Sequence, residues 1–346
     1  MAVGDGIFRR WSGTAGTSRD HSASPVVSPE GGSRFGRRGE TWNVTQSGAR
    51  AREKGVSEEV KDMAVSRLPH RKGMGWFRDR TAVVTGAASG LGRGIALALA
   101  EAGCHLVLAD VDTEGLGAVR AEIEGKGRDC LALEVDVSDR RAMEGLARES
   151  LAWKGGVDLL VNNAGVAVAG ELDVIPVEDI EWIVGVNLMG EIYGCRFFLP
   201  HMVERGEGHI VNIASVSGFA ALPLHVAYTV TKFGVVGLSE MLWAEARNHG
   251  VGVTVVCPGA LSTDIGFRSR NHYRTEKQRE SEERYAAMLR ERGMDPREAG
   301  RKIVEAVAAG RFLVLLGREA YLLYYLKRLA PMTCLRVACL VSHRLL

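Results

Sequence analysis

Tyr228 and Lys232 stand four positions apart in Tyr228-Thr229-Val230-Thr231-Lys232. On a helix this spacing puts both side chains on one face, one turn apart. A free tyrosine ionises near a pH of about 10 and is a poor base at neutral pH. A fixed ammonium beside it favours the phenolate. Such a pair can take the proton of an alcohol or return one to a carbonyl oxygen. Tyr and Lys at this spacing are common on ordinary helix faces, so a catalytic role for them needs companions. Ser215 closes the run Asn212-Ile213-Ala214-Ser215, a short way upstream of Tyr228. A hydroxyl at the carboxyl end of a strand can bind a substrate oxygen and hold it against the phenol. Ser217 is its local rival. Asn187, in Val186-Asn187-Leu188, falls inside an apolar helical stretch. A buried amide needs partners. Either backbone supplies them, or the amide holds a water that links Lys232 to solvent.

A second cluster offers a place for a hydride carrier. The apolar run from Thr81 leads into Thr85-Gly86-Ala87-Ala88-Ser89-Gly90-Leu91-Gly92, and a helical stretch, Arg93 to Ala102, follows at once. Gly86 and Gly90 let the backbone turn tightly and approach a pyrophosphate. Gly92 allows close helix–strand packing. The helix start offers free N–H groups and a positive dipole end. Asp110 ends the next apolar run. It lies about 20 residues beyond the glycine turn, the spacing of the ribose-binding acid in dinucleotide folds. An acid there can accept hydrogen bonds from ribose hydroxyls and repels a 2′-phosphate. Position 89 is Ser rather than a basic residue, and Arg93 falls on the helix. The expectation is NAD(H), with NADP(H) as the alternative. Asp136-Val137 and Asn163-Ala164-Gly165 end the third and fourth apolar runs, where ligands of open α/β sheets bind. Turn formation explains each alone equally well.

These groups need elements to hold them. Strands are expected at Thr81–Thr85, His105–Ala109, Asp129–Glu134, Leu159–Val161, His209–Ile213, Val253–Val256 and Phe312–Leu316, with helices between. Strand–helix alternation means right-handed βαβ units. The expected fold is α/β, a Rossmann-type doubly wound parallel sheet of about seven strands with helices on both faces. One domain spans roughly 76–318. Residues 1–75 are rich in Gly, Ser and Arg, and read either as a disordered basic tail or as a coding start set too far upstream of Met63 or Met74. Positions 1–80 carry a net +6 and positions 311–346 a net +5, which leaves 81–310 at −9. The six cysteines form no Cys-x-x-Cys pair. They read as buried thiols of a reducing, cytoplasmic compartment, with no metal site. Positions 1–30 lack the apolar stretch of a secretory signal, and no apolar run is long enough to span a bilayer as a helix.

Taken together, TGAASGLG (85–92), NNAG (162–165), Asn187, Ser215, YTVTK (228–232) and PGALST (258–263) resemble the short-chain dehydrogenase/reductase superfamily, in order and spacing, over nearly all of 81–265. The resemblance implies a Ser215–Tyr228–Lys232 site assisted by Asn187, and hydride transfer without metal. It implies adenine contact by Asp136 and Val137, and nicotinamide contact by Pro258, Gly259 and Thr263. It also implies a homodimer or homotetramer built on the long helices around 180–204 and 226–249.

Two segments depart from that pattern. Residues 264–297 cover the substrate in this family, and here they are long and charged, with Arg268, Arg270, Arg274, Lys277 and Arg279. These charges are expected to face solvent. The inner lining is then Val166, Val168, Phe219, Leu222, Ile265 and Phe267. That lining suits a hydrophobic secondary alcohol or ketone of lipid-, steroid- or retinoid-like kind. Residues 319–346 form an apolar, basic helical tail broken at Pro331. It reads either as a peripheral membrane contact or as a helix docked on the body or a neighbouring subunit. Two other functions compete: an NADPH-dependent reductase of carrier-bound 3-oxoacyl chains, and a non-enzymatic nucleotide-sensing scaffold. Nucleic-acid binding is not expected, because the basic N-terminal segment lacks interleaved aromatics.

Overall fold

The computed structural model describes residues 72–345. The two readings of the N-terminal segment therefore lie outside the described residues up to Arg71. From Lys72 the chain belongs to the folded body: Lys72 Nζ donates to Gly208 O at 3.1 Å, and Phe77, in the 3₁₀ turn Met74–Phe77, is fully buried.

Seven parallel strands form the sheet. They are β1 (Thr81–Thr85), β2 (His105–Asp110), β3 (Cys130–Glu134), β4 (Leu159–Asn162), β6 (Gly208–Ile213), β7 (Val251–Pro258) and β9 (Leu313–Leu316), in the order β3-β2-β1-β4-β6-β7-β9. The central strands are buried on both faces and so read as continuous apolar runs. Alternate residues feed two cores: Ala82, Val84, Leu106 and Leu108 face one side, Val83, Val107 and Ala109 the other. The first side is covered by α1 (Gly90–Ala102), α2 (Thr113–Glu124) and α8 (Pro296–Ala308). The second is covered by α3 (Arg140–Trp153), α5 (Gly190–Arg205) and α6 (Val226–Ala246). The order reverses between β1 and β4, which opens a crevice at their carboxyl ends.

The structure adds what the sequence did not announce. A short parallel pair, β5 (Val168–Gly170) and β8 (Arg270–His272), ties the loop after β4 to the start of the 264–297 segment. α4 (Val177–Val184) runs into a π turn, Gly185–Met189, before α5 begins. α7 (Glu276–Arg292) completes the charged segment. The tail consists of α9 (Arg318–Leu329) and α10 (Pro331–Leu345), with Pro331 opening the second helix, where its missing N–H costs nothing.

Candidate active site

The glycine turn is braced from three sides. Gly86 and Gly90 have positive φ, +63° and +52°, a region that glycine enters without strain. Asn163 Nδ2 donates to Thr85 O (2.9 Å) and Gly86 O (3.1 Å), while Thr85 Oγ1 accepts from Asn163 N and Ala164 N. Asp110 Oδ2 accepts from Ala88 N at 3.0 Å and Oδ1 from Asp112 N at 3.1 Å. Asp110 thus holds the turn and keeps spare lone pairs towards the cleft, since each carboxylate oxygen accepts more than one bond. The first N–H groups of α1 have no intrahelical carbonyl to bind, and the Ser89 side chain does not cap them. This leaves a cradle of free donors suited to a pyrophosphate.

Ser89, Leu91, Gly92, Asp110, Asp136, Val137, Ala164 and Gly165 border one cleft of about 1000 Å³, together with Gly86, Gly90, Asn163, Pro258, Gly259 and Thr263. Ser215, Tyr228 and Lys232 border the same cleft. Asp136 also serves locally, accepting from Ser138 N and Oγ. The residues present therefore fit an extended dinucleotide whose far end reaches Tyr228.

α6 carries Tyr228 and Lys232 on one face, and Lys232 Nζ lies 6.0 Å from the centre of the Tyr228 ring. Lys232 is 3% exposed and donates to Ile213 O at 2.7 Å. Ser215 follows β6 and accepts from Ser217 N at 3.1 Å. Its rival Ser217 is 1% exposed and also borders the cleft. Asn187 is the candidate that the structure places behind the wall. It is fully buried on the π turn, where its Oδ1 accepts from Val166 N and its Nδ2 donates to Val166 O, both at 2.8 Å. Of the two options open for Asn187, the amide's partners here are the Val166 backbone and, at 3.4 Å, the Thr231 hydroxyl. It pins the loop that forms the cleft wall.

The charged segment is exposed and also tied to the body. Arg270 and His272 bind Asp179, and Arg274 binds Glu171 and Asp173. These ion pairs tie the segment to the body, while Arg268, Arg270, Arg274, Lys277 and Arg279 are all exposed, as expected. Arg279 alone among these three arginines pairs within its helix, with Glu276 and Glu283. The lining needs correction. Val166, Leu222, Ile265 and Phe267 border the cleft, but Val168 is buried in a neighbouring cluster and Phe219 packs edge-on against Tyr324. Polar groups that sequence reasoning passes over take their place: His225, Tyr273, Glu282 and Tyr285. His225 Nδ1 lies 2.8 Å from Pro223 O, and its Nε2 lies 3.5 Å from Glu282 Oε2. Sequence reasoning also misses Glu191, although an acid four positions after Asn187 in an apolar stretch is a readable signal.

With this geometry in hand, the likeness to known proteins is specific. Residues 80–274 match the short chain dehydrogenase family. The putative oxidoreductase SadH of Mycobacterium tuberculosis is 38% identical over 251 residues, 71% of this chain and 89% of SadH. The probable oxidoreductase EphD of Mycobacterium bovis is 36% identical over 261 residues, but the chain spans only 44% of that protein's length. A short chain dehydrogenase/reductase from Burkholderia phymatum, solved in complex with NAD, superposes with a TM-score of 0.69 at 34% identity, covering 73% of this chain and 94% of that one. The chain belongs to the short-chain dehydrogenase/reductase family of oxidoreductases.

Proposed function

We propose that this protein transfers a hydride between NAD(H) and a hydrophobic secondary alcohol or ketone. The observation that carries the reading is the single cleft that joins the glycine turn to Ser215, Tyr228 and Lys232. A bound nicotinamide dinucleotide would rest on the first turn of α1 and on Asp110, Asp136, Val137 and the Asn163–Gly165 stretch, with Pro258, Gly259 and Thr263 beside its reactive end; it supplies or accepts the hydride. Ser215 holds the substrate oxygen, and Tyr228 takes or returns its proton. Lys232 keeps positive charge beneath the phenol. Asp110 at the rim favours NAD(H). Arg93, the nearby cation, is engaged by Glu122. Arg270 and Arg274, part of the basic patch the carrier-reductase alternative needs, are paired with acids of the body.

The substrate is lipid-, steroid- or retinoid-like in bulk, with one polar point. Val166, Leu222, Ile265 and Phe267 supply apolar wall, and the His225 and Glu282 side chains can meet a hydroxyl or carbonyl on the substrate. A panel of secondary alcohols and ketones, followed at the NADH absorbance, tests this. Turnover with NAD(H) is expected to exceed that with NADP(H) by about tenfold or more. A strong NADPH preference would sink the cofactor assignment, and activity confined to small polar alcohols would sink the substrate class.

The tail supports a peripheral membrane contact. No helix among the described residues is long and apolar enough to cross a membrane. Yet Tyr321, Leu322, Tyr325, Leu329 and Leu340 are exposed, Leu329 at 83%. The tail's one acid, Glu319, turns inward to accept from Ala260 N at 2.8 Å, leaving basic side chains outside. An apolar, basic surface of this kind suits anionic lipid. Co-sedimentation with anionic vesicles is expected, and Leu322→Ser with Leu329→Ser should weaken it. Equal sedimentation of the variant rejects the contact. Phe233 and Met241, exposed on α6, are the proposed homo-oligomer face; a monomer in the vesicle-free samples rejects that assignment.

A further inference from the structure

Glu191 sits where a carboxylate is costly. It is 2% exposed, on the first turn of α5. Its Oε1 lies 3.3 Å from Lys232 Nζ, and its Oε2 has no hydrogen-bond partner. The layer beneath is filled by Asn162, Asn212 and Ser239, which bond to one another. Asn162 Nδ2 reaches the Glu191 backbone oxygen at 3.4 Å. Among the described residues, the titratable groups facing Glu191 are Lys232 from α6 and the Cys195 thiol on its own helix. Burial pushes Cys195 up to about 12, so it stays neutral.

On the reading that Tyr228 and Lys232 perform the proton transfer, we infer that Glu191 is a positioning residue that sets the net charge beneath Tyr228. The Glu191–Lys232 unit carries either one positive charge, as carboxylic acid plus ammonium, or none, after one proton has left. Glu191 is sealed from solvent and its polar neighbour is Lys232, which borders the cleft. The proton therefore leaves in two moves. Lys232 releases one N–H proton to the cleft, and the Glu191 carboxyl then transfers its own proton to the vacant amine. The unit ends as ammonium plus carboxylate, one proton and one charge poorer. An orphaned Oε2 favours the protonated acid, since a carboxylate with a bare buried oxygen is disfavoured.

Burial pushes the Glu191 carboxyl up to about 8, and Lys232 opposes that shift without overcoming it. The sign follows. Below this range the acid keeps its proton, the unit is positive, and phenolate at Tyr228 is favoured. Above it the unit is neutral and that support is withdrawn. Alcohol oxidation should therefore rise with pH and then bend downward on the alkaline side.

The test uses the full chain and Glu191→Gln, which leaves position 191 uncharged at every pH and so keeps the unit positive, with Glu191→Asp as the conservative comparison. The pH profile of kcat/KM for alcohol oxidation is the first readout. Glu191→Gln should abolish the alkaline bend and exceed wild type there by about three- to tenfold, with KM little changed. Glu191→Asp should keep a bend. The second readout is independent of turnover. The infrared carbonyl band of a protonated carboxyl should disappear from wild type as pH rises through this range, and that component should be missing from the Glu191→Gln titration over the same range. Overlapping pH profiles of wild type and Glu191→Gln overturn the proposal, as does a wild-type difference spectrum without that band. Should no alcohol or ketone be turned over at all, the functional reading fails, while the infrared titration still decides whether Glu191 holds and releases this proton.

Discussion

Tyr228→Phe is expected to lower kcat by about 10²- to 10⁴-fold, the range for removing a positioned general acid–base. Its value lies in what it leaves alone. Among the described residues no hydrogen bond holds the Tyr228 hydroxyl, so the variant strands no partner. The ring keeps its packing against the cluster of Val168, Ile175, Ile183 and Ala227. Stability should stay within about 0.5 kcal/mol of wild type, and cofactor affinity should be unchanged. Lys232→Met is a poorer probe. It would leave the Glu191 carboxyl without its partner and Ile213 O without its donor, about 1–3 kcal/mol for each buried group left unbonded. Initial rates, thermal melting and NADH titration on Tyr228→Phe separate chemistry from folding. Retention of more than about a tenth of wild-type kcat would move the acid–base role elsewhere.

That contrast also shows what the sequence can carry. The seven strands were legible because β-branched, apolar runs report burial on both faces directly. The glycine turn and the Tyr228–Lys232 pair were legible because local spacing determines what they face. Long-range pairing leaves no such mark. β5 and β8 are short, far apart along the chain, and neither has a period to read. The π turn at Gly185–Met189 comes from fitting Asn187 to the Val166 backbone, a tertiary demand. The arginines of the covering segment were legible as an exposed face, but not their partners, because Asp179, Glu171 and Asp173 lie on another part of the chain. Glu191 follows the same rule. Its helix face could be read, but the lysine it meets could not.

Gly92→Ala is expected to disable the dinucleotide site and weaken the fold together. A Cβ at position 92 would lie 2.0 Å from Gly86 O and 2.5 Å from Asn163 Nδ2. Neither is a flexible tip: one is backbone, and the other is held by its bonds to Thr85 O and Gly86 O. α1 cannot slide away, because it meets α8 backbone to backbone at Gly94 and Gly300. The turn itself must move, and the Asn163 bonds must stretch or break. Each buried bond lost costs about 1–3 kcal/mol, so a destabilisation of about 2–4 kcal/mol and a fall in Tm of roughly 4–12 °C follow. NADH affinity should drop by about a hundredfold or more, since the free N–H groups of α1 no longer converge on the phosphates. Gly117→Ala is the matched control. Gly117 lies on an exposed face of α2 with nothing within 4 Å of an added Cβ, and alanine there should gain about 0.5–1 kcal/mol. Melting curves and NADH fluorescence titrations distinguish the two glycines. A Gly92→Ala protein that binds NADH like wild type would show that the dinucleotide lies elsewhere in the cleft, because no position of the turn satisfies both that methyl group and the Asn163 bonds.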